Sequence, residues 1–447
     1  MSPCQRTRGA GRWRDSSYTH PSAPFFIFSF IIPPSDMMEH GKKILMIVMD
    51  GLGDRAVKSL DYRTPLQCAR KPNLDWFASN GTSGIMDVIA PGIRPGSDTS
   101  HLALLGYDPY KVYTGRGPFE AAGVGLVGKA GDVAFRCNFA TVDSRFNVLD
   151  RRAGRIKEPD TTELAKALDG MNIGDIKVVV REATEHRAVL MLQGRDLSPR
   201  VSDADPHALT TVQTSRPLGP DAARTSEAVN EFVRRSYEVL NDHPVNERRA
   251  SEGLLPANIL LPRGAGVFPD IQPFPERYEM SASGVAGVSL IRGICRVCGL
   301  EVIEPPGCTG GMDTDMEAKT CAALKELDRK DFVLMNVKAS DVTSHDGDPS
   351  RKIETIERLD GMARIIRKDM PEGTVVALMA DHCTPVELGD HSGDPVPLTI
   401  YTENSIKDGT MSYDEVSCAR GALGRIRGMD LMPILLDKAD RAEKFGA

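Results

Sequence analysis

The sequence predicts an α/β protein whose core is a mostly parallel sheet flanked by helices. Three continuous apolar runs support this prediction, because a strand of a parallel sheet is buried on both faces and is apolar throughout. The runs are Ile44–Met49, Phe332–Val337 and Val375–Ala380. Apolar residues at helical spacing in Ser350–Arg367 predict an amphipathic helix between the second run and the third.

The predicted core is discontinuous in sequence. Residues 39–111 read in order as a strand, a glycine-rich turn, a helix and a polar loop over Ala90–Thr99. Residues 276–447 read as repeated strand and helix units. We expect the two segments to build one core, because candidate ligand residues follow strands in both of them.

Residues 112–275 are expected to form an inserted α+β domain. Alternating and β-branched residues predict strands within Asp132–Ala140 and Lys177–Gln193, and Asp221–Leu240 reads as a helix. The proline-rich segment Pro256–Pro275 is interpreted as a linker that returns the chain to the core.

Residues 1–38 differ in composition from the rest of the chain. Four arginines precede the apolar run Phe25–Ile32, which is far shorter than the roughly 20 residues needed to cross a bilayer. A signal peptide is the alternative, but Pro33-Pro34 stands where a small-residue cleavage site is expected. We therefore interpret this segment as a disordered or spurious extension, with Met37 or Met38 as the natural start.

The composition argues against several classes of function. The formal net charge is −7 over 447 residues, so we expect no nucleic acid partner and no membrane-binding surface. Nine cysteines without a disulfide framework favour a reducing compartment, and the cytoplasm is expected. Cys295 and Cys298 form a Cys-x-x-Cys pair within a stretch of helical spacing. We interpret them as buried thiols, with a redox or zinc role as the alternative.

Acidic and imidazole side chains collect where the predicted core strands end. Asp50 follows the first apolar run, and Asp381 and His382 follow the third. Asp341 follows the second run, and His345 lies one helical turn farther on. Ligands gather beyond the carboxyl ends of parallel strands, so these groups are expected to meet.

His391 completes this set, because it closes the loop that precedes the apolar run Val396–Tyr401. Aspartate and histidine at one sheet edge predict a metal site, and more than three such groups predict two metal ions. A turn or a helix cap is the alternative role for Asp50, since an aspartate before glycine is a common turn former. The whole set indicates an enzyme.

Ser97 is the candidate nucleophile. It follows Gly96 in the predicted polar loop, where its hydroxyl could coordinate a cation, lose its proton at a lowered pKa and attack phosphorus. Thr99 and Ser100 are alternative nucleophiles on composition alone, and a polar turn is the alternative reading of the whole loop.

The inserted segment carries side chains suited to an anionic substrate. Guanidinium groups bind phosphate and carboxylate through paired hydrogen bonds. Surface charge is the alternative role for the arginines, and a structural role is the alternative for the histidine. The candidate residues are Arg136, Arg151, Arg152, Arg155 and His207.

Five motifs together resemble those of a known family. They are Met49-Asp-Gly-Leu-Gly-Asp54, Gly96-Ser-Asp-Thr-Ser-His-Leu-Ala-Leu-Leu-Gly-Tyr-Asp-Pro109, Gly115-Arg-Gly-Pro-Phe-Glu-Ala121, Arg136-Cys-Asn-Phe-Ala-Thr-Val-Asp143 and Lys338-Ala-Ser-Asp-Val-Thr-Ser-His-Asp-Gly-Asp348. The chain resembles the archaeal-type cofactor-independent phosphoglycerate mutases of the alkaline phosphatase superfamily. The resemblance covers nearly all of the chain from about Lys42 to Asp437.

The resemblance implies an alkaline-phosphatase-like core with two divalent cations, under an inserted, transferase-like substrate-binding domain. One cation would be bound by Asp50, Ser97, Asp381 and His382, and the other by Asp341, His345 and His391. Ser97 would be the phosphorylated nucleophile. The arginines named above and His207 would contact phosphoglycerate. Mn²⁺, Zn²⁺, Co²⁺ or Mg²⁺ would serve as the cations, and 2,3-bisphosphoglycerate would not be required.

The implied activity is the interconversion of 2-phosphoglycerate and 3-phosphoglycerate through phosphoserine. Another phosphotransferase of the same core, or a hydrolase of phosphate esters or phosphonates, is the nearest alternative. A binding protein that retains the metals but has lost turnover is an alternative from a different class.

Overall fold

The computed structural model describes residues 41–446. The interpretation of residues 1–38 as an extension, with a start at Met37 or Met38, lies outside the described residues. Within the described range, no helix is both long enough and apolar enough to cross a membrane.

The strands of the described range form two sheets. They are β1 (Ile44–Met49), β2 (Thr82–Asp87), β3 (Val133–Val142), β4 (Val148–Asp150), β5 (Asn172–Ile173), β6 (Ile176–Glu182), β7 (Arg187–Gln193), β8 (Ile259–Val267), β9 (Ala282–Val285), β10 (Glu301–Ile303), β11 (Phe332–Val337), β12 (Val375–Met379), β13 (Val396–Tyr401) and β14 (Gly424–Arg427).

The larger sheet has the strand order β10-β9-β11-β1-β12-β13-β2-β14. β11, β1 and β12 are adjacent and parallel, and every residue in them is buried. These are the three apolar runs. β13 runs antiparallel to both of its neighbours, so the sheet is mostly rather than wholly parallel. The predicted α/β fold class is confirmed.

Helices flank this sheet. In chain order they are α1 (Pro65–Cys68), α2 (Pro72–Asn80), α3 (Ser97–Leu104), α4 (Pro109–Val112), α5 (Gly117–Gly123), α6 (Asp160–Leu168), α7 (Ala223–Asn241), α8 (Pro244–Ser251), α9 (Phe274–Tyr278), α10 (Ser289–Val297), α11 (Met316–Leu327), α12 (Ala339–His345), α13 (Pro349–Asp369), α14 (Glu415–Cys418) and α15 (Gly428–Lys438).

The local sequence explains where α13 begins. Pro349 occupies its first turn, and the Asp348 carboxylate accepts hydrogen bonds from the amides of Ser350 and Arg351. The predicted amphipathic helix therefore begins with a side-chain cap. In α10, burial raises the pKa of the Cys295 thiol to about 12, in keeping with its interpretation as a buried thiol.

The smaller sheet has the order β4-β3-β7-β6-β5, with β8 paired to β3. Its strands surround a second hydrophobic core to which α7 contributes Phe232. Phe119 of α5 packs instead in the core of the larger sheet. The domain boundaries expected at residues 112 and 275 stay a prediction.

The linker predicted over Pro256–Pro275 is wrong in its central part. Ile259–Val267 is β8, which pairs with β3 along nearly its whole length. Pro262 lies opposite Cys137 and has no amide hydrogen to donate. The strand tolerates it because, among the described residues, β8 pairs with β3 alone and is an edge strand.

Candidate metal centre and active site

Three neighbouring strands bring the candidate ligands to one edge of the larger sheet. Asp50 directly follows β1, and its amide donates to the carbonyl oxygen of Val337 at the end of β11 (3.0 Å). Asp341 lies in α12, immediately beyond β11, and Asp381 lies two residues beyond β12. Because these strands are parallel, their carboxyl ends meet. Gly51 adopts φ +67°, and a Cβ there would lie 2.7 Å from Asp341, so this turn requires glycine.

The first ligand group consists of Asp50, Asp381 and His382, all buried. His382 Nε2 lies 3.6 Å from Asp50 Oδ1 and 3.3 Å from Asp381 Oδ2. Ser97 Oγ lies 3.2 Å from the same nitrogen. The four residues that the resemblance assigns to one cation therefore lie within reach of a common point.

The second ligand group consists of Asp341, His345 and His391. Nε2 of His345 lies 3.4 Å from Asp341 Oδ1, and Nε2 of His391 lies 3.5 Å from the same oxygen. The rings of His382 and His391 stack with 3.6 Å between their centroids, so the two groups are adjacent. The structure thus brings all seven predicted side chains into one site.

Hydrogen bonds fix the orientation of all three imidazoles. His345 Nδ1 donates to the carbonyl oxygen of Gly389 and His391 Nδ1 to that of Pro95, both at 2.8 Å. A carbonyl can only accept, so Nδ1 carries the hydrogen and Nε2 presents a lone pair. Outer hydrogen bonds of this kind orient the histidine ligands of metal ions.

Thr384 performs the same task for His382. Its hydroxyl donates to Asp341 Oδ1 (3.0 Å), so the contact of 2.9 Å with His382 Nδ1 must be donated by the histidine. His382 Nε2 therefore directs a lone pair at Asp50, Asp381 and the Ser97 hydroxyl. Burial lowers the pKa of His382, which favours this neutral form.

The donor set fits a divalent cation. Asp381 Oδ2 is buried and has no hydrogen-bond partner among the described residues, although it faces the His382 lone pair. Burial alone would raise the pKa of Asp381, but interactions with neighbouring groups, among them the Lys338 ammonium and the Gly51 amide, outweigh it and lower that pKa. A buried, ionised carboxylate beside an imidazole lone pair has the composition of a site for a first-row divalent metal.

Lys338 is a residue of this site that the sequence reasoning did not assign. Its ammonium donates to Asp50 Oδ1 (2.9 Å) and to Asp341 Oδ2 (2.7 Å), and so bridges the two ligand groups. Burial would raise the pKa of Asp341, but the adjacent ammonium outweighs it and keeps that pKa well below its usual range. Its position between β11 and α12 offered a signal, because it opens the motif that contains Asp341.

The hydroxyl of Ser97 has a different hydrogen-bond partner from the hydroxyls of the two alternative nucleophiles, Thr99 and Ser100. Ser100 Oγ donates to the carbonyl oxygen of Asp381 (2.7 Å), and Thr99 Oγ1 donates to that of Gly96 (3.0 Å). Ser97 Oγ instead contacts His382. The loop predicted over Ala90–Thr99 is wrong at its end, because Ser97 is the first residue of α3 and is held by a helix.

A second network supports the backbone of the nucleophile. His101 Nδ1 donates to the carbonyl oxygen of Ser97 (2.7 Å), and the Asn336 amide donates to His101 Nε2 (3.3 Å). The same amide donates to Asp50 Oδ2 at 3.1 Å. Asn336 therefore links a candidate ligand to the candidate nucleophile, and nothing in the local sequence indicated this role.

The residues predicted to contact substrate are only partly brought together. Arg136 lies beside the buried Glu120, with Nε 3.8 Å from Oε1. Arg151 donates to the buried Asp205 (3.1 Å), which lies two residues before His207 in the same turn. His207 is itself exposed, and its Nε2 contacts Asp203 (3.0 Å).

Arg152 and Arg155 are exposed. Arg155 adopts φ +60° in a tight turn. The charge of Arg152 acts on the buried His186, because it is among the influences that lower the pKa of His186 to about 3, after burial and Arg187.

The structure adds three arginines to Arg136, namely Arg116, Arg187 and Arg263; we call these four residues the arginine cluster. Burial is the first cause, and repulsion by neighbouring guanidinium groups a further one, of the lowered pKa of Arg136, which falls to about 9. The pKa of Arg187 and Arg263 is also lowered. Within the described residues, the buried Nε atoms of Arg136, Arg187 and Arg263 have no hydrogen-bond partner.

One member of the arginine cluster, Arg116, lies near enough to Asp98 for the two charges to interact. The Tyr113 hydroxyl donates to Asp98 Oδ2 (2.8 Å), and Asp98 directly follows Ser97. Burial would lower the pKa of Arg116, but the charges of Glu120 and then Asp98 outweigh it and raise that pKa. Unpartnered donors of one sign beside a phosphoryl acceptor are typical of an anion site. Arg187 and Arg263 come from distant segments, so no local pattern could reveal them, whereas Arg116 lies within the motif Gly115-Arg-Gly-Pro-Phe-Glu-Ala121.

Glu415 lies beside the site and provides a pH prediction. Its carboxylate accepts hydrogen bonds from the Asp54 amide (3.0 Å) and the Thr64 hydroxyl (2.7 Å), with Lys352 and Cys383 nearby. Burial raises its pKa from 4.5 to about 7. Between these values the native state retains a proton that the unfolded state releases, so the free energy of unfolding falls as pH rises.

Glu415→Gln is expected to remove this part of the pH dependence, because glutamine retains the shape and cannot ionise. The measurement is the urea midpoint of both proteins at the two ends of that pH window. The wild type should lose more stability than the variant with rising pH. Equal slopes would contradict the assignment.

Comparison with known proteins gives concordant results. A family model described as 2,3-bisphosphoglycerate-independent phosphoglycerate mutase matches residues 78–246. The enzyme of that name from Methanopyrus kandleri is 52% identical over 415 residues, which are 91% of this chain and 98% of the relative. Its counterpart from Archaeoglobus fulgidus is 50% identical over 413 residues, covering 90% of this chain and all of the relative.

Solved structures agree. A protein from Pyrococcus horikoshii matches with a TM-score of 0.80 at 39% identity, covering 91% of this chain and 100% of that one. The cofactor-independent phosphoglycerate mutase from Thermoplasma acidophilum matches with a TM-score of 0.66 at 39% identity, covering 89% and 100%.

Proposed function

Because this chain belongs to the family of 2,3-bisphosphoglycerate-independent phosphoglycerate mutases, we propose that it interconverts 2-phosphoglycerate and 3-phosphoglycerate through a phosphorylated Ser97. It is an isomerase that acts by intramolecular phosphoryl transfer, and it does not require 2,3-bisphosphoglycerate. The observation that carries the serine assignment is the position of its hydroxyl, 3.2 Å from His382 Nε2 and beside two ligand groups.

Two divalent cations are part of the proposal. Asp50, Ser97, Asp381 and His382 would bind one of them, and Asp341, His345 and His391 would bind the other. Divalent cations there would neutralise charge on the phosphoryl oxygens and lower the pKa of the serine hydroxyl. Mn²⁺, Zn²⁺, Co²⁺ and Mg²⁺ are the candidates, since availability decides among metals that such ligands accept.

Ser97 takes the phosphoryl group in the first half of the reaction. Its hydroxyl loses a proton, its oxygen forms a bond to phosphorus, and the bond from phosphorus to the glycerate oxygen breaks. The departing oxygen takes up a proton, so the glycerate is neutral at both hydroxyls. In the second half the other hydroxyl loses its proton and its oxygen forms a bond to phosphorus. The bond from phosphorus to Ser97 Oγ breaks and that oxygen takes up a proton, so the serine is regenerated.

The arginine cluster would hold the substrate during this exchange. Phosphoglycerate carries a phosphate and a carboxylate, and the unpartnered guanidinium donors match both groups. Arg151, Arg152, Arg155 and His207 stay predicted contacts. Residues 112–275 are proposed as a domain that covers the bound glycerate and excludes water, because water reaching phosphoserine would hydrolyse it.

Hydrolysis of a phosphate ester or phosphonate is the alternative activity, and the names of the relatives do not favour it. We also propose the cytoplasm as the location. Every cysteine in the described range is free, which suits a reducing compartment.

The direct test is to incubate the protein with Mn²⁺ and 3-phosphoglycerate, without 2,3-bisphosphoglycerate, and to measure 2-phosphoglycerate. The proposal expects 2-phosphoglycerate with little free phosphate. Release of free phosphate as the main product would identify a hydrolase instead. Binding of Mn²⁺ without turnover would identify a binding protein.

Arg136→Gln is expected to weaken transition-state binding by about 1.5–3 kcal/mol, or roughly 10- to 150-fold in kcat/KM, because a charged hydrogen bond to the substrate is lost. Steady-state kinetics in both directions measure the effect. Arg234→Gln is the matched control, since Arg234 is a half-exposed arginine paired with Glu231 and Glu238 on α7. A variant at Arg136 with wild-type kinetics would remove the arginine cluster from substrate binding.

A further inference from the structure

A buried lysine contacts the two loops that carry Asp50, Asp381 and His382. The side chain of Lys352 is 0% exposed. Its ammonium donates to the carbonyl oxygens of Gly51 (3.1 Å), Gly53 (3.1 Å) and Thr384 (3.0 Å) and to the carboxylate of Asp54 (2.8 Å). Four acceptors share three ammonium hydrogens, so this group is fully satisfied inside the core.

These acceptors belong to the segments that carry the candidate ligands. Gly51 follows Asp50 directly, and Thr384 lies two residues beyond His382. The Thr384 hydroxyl contacts both His382 and Asp341, one residue from each ligand group. Lys352 therefore joins the loop after β1 to the loop after β12.

Lys352 also fixes these loops to the helical segment that carries Asp341 and His345 of the second ligand group. It belongs to α13, which begins four residues after His345, the last residue of α12. The backbone adds two contacts to the same junction. The Thr384 amide donates to the Gly53 carbonyl (3.0 Å), and the Val386 amide lies 3.3 Å from the Asp54 carboxylate.

Burying an ammonium is costly, and an apolar side chain can often fill the same space at no loss of stability. What an apolar side chain cannot do is hold three carbonyl oxygens at fixed distances from one point. We propose that Lys352 is a positioning residue that sets the separation of the two ligand groups, so that both cations bind. This inference rests on the two-cation site proposed above.

The test replaces the ion pair rather than the lysine alone. Lys352→Met would leave the Asp54 carboxylate buried without its partner, so the variant is the pair Lys352→Met with Asp54→Asn. The double substitution removes one positive and one negative side chain, so the net charge near the site does not change. A change in cation affinity would then result from altered positions of the ligand residues. Lys352→Gln, which retains two donors, is the second variant if the pair does not fold.

The matched control is an ion pair elsewhere in the core that has a buried lysine and a partly exposed aspartate. Lys71 is 3% exposed, and its ammonium contacts Asp75 (3.0 Å) and Ser412 (3.0 Å) but none of the ligand loops. Lys71→Met with Asp75→Asn removes an ion pair of the same chemistry. This control variant shows how much cation affinity changes when an ion pair is lost away from the ligand loops.

The experiment titrates metal-free protein with Mn²⁺ by calorimetry and follows Mn²⁺ pairs by electron paramagnetic resonance. We expect wild type and the Lys71 control to bind two equivalents with a spin-coupled signal. The Lys352 pair should bind at least one equivalent about 10- to 100-fold more weakly and lose the coupled signal. Lys352→Gln should show a smaller effect in the same direction.

Two results would overturn the inference while leaving the proposed function intact. One is wild-type binding of both equivalents by the Lys352 pair. The other is equal weakening in the Lys352 pair and the Lys71 control. If wild-type protein itself binds fewer than two equivalents, the two-cation site fails, and the inference fails with it.

Discussion

Replacing Ser97 with alanine is expected to lower mutase activity by more than about 10³-fold, because the covalent route through phosphoserine is lost. Among residues 41–446 its hydroxyl has one side-chain hydrogen-bond partner, His382, so the fold should be unaffected. Conversion of 3-phosphoglycerate and the thermal midpoint are measured together. A loss of activity with an unchanged thermal midpoint would then show that the substitution affects catalysis and not folding.

The control for this variant is Thr99→Ala. Thr99 is a rival nucleophile on composition, but its hydroxyl donates to the Gly96 carbonyl within its own helical turn. We expect the activity of Thr99→Ala to stay within about tenfold of wild type, because the substitution removes one hydrogen bond worth about 1 kcal/mol. Mass spectrometry of protein quenched during turnover should find phosphate on Ser97. Phosphate on Thr99 or Ser100, or full activity without Ser97, would contradict the assignment.

Removing the cations is expected to have an effect of similar size. Chelation should abolish activity and added Mn²⁺ should restore it. The reason is that phosphoryl transfer needs positive charge next to the phosphoryl oxygens, and the cations held by the two ligand groups would supply it. Binding should also raise stability. A cation at about 100 times its Kd adds about 2.7 kcal/mol per site to the free energy of unfolding.

The variant for this prediction is Asp341→Asn, with Asp346→Asn as its control. Asp341 lies beside His345 and His391 in the second ligand group, whereas Asp346 is exposed and paired with Arg351. The rise in unfolding free energy with Mn²⁺ should shrink in the first variant and persist in the second. Full activity of thoroughly chelated wild-type protein would refute metal dependence.

The strands and the ligands could be predicted from sequence for one physical reason. A strand that is buried on both faces consists almost entirely of apolar residues, so its position can be read from the sequence. β1 and β11 have the bounds that the apolar runs predict, and β12 ends one residue earlier than its run. Parallel neighbours end at a common edge, so ligands separated by hundreds of residues could be assigned to one site. His345 could also be predicted as a ligand, because helical spacing places it beside Asp341.

Other parts of the site depend on contacts that no local pattern encodes. Arg187 and Arg263 are brought to Arg136 by the pairing of β3 with β7 and β8, and β8 itself was read as part of a linker because the segment around it is rich in proline. Lys338 bridges two carboxylates that are far apart in sequence. The Ala90–Thr99 loop was extended too far, since Gly96 and Ser97 are typical of loops although Ser97 begins a helix.

Diffraction from crystals grown with Mn²⁺ and recorded near the manganese absorption edge tests the central claim most directly. The account predicts two anomalous peaks about 3.5–4 Å apart or slightly farther, as in known two-metal sites. One peak should lie within bonding distance of Asp50, Asp381 and His382, and the other of Asp341, His345 and His391. A single peak, or peaks away from these side chains, would contradict it.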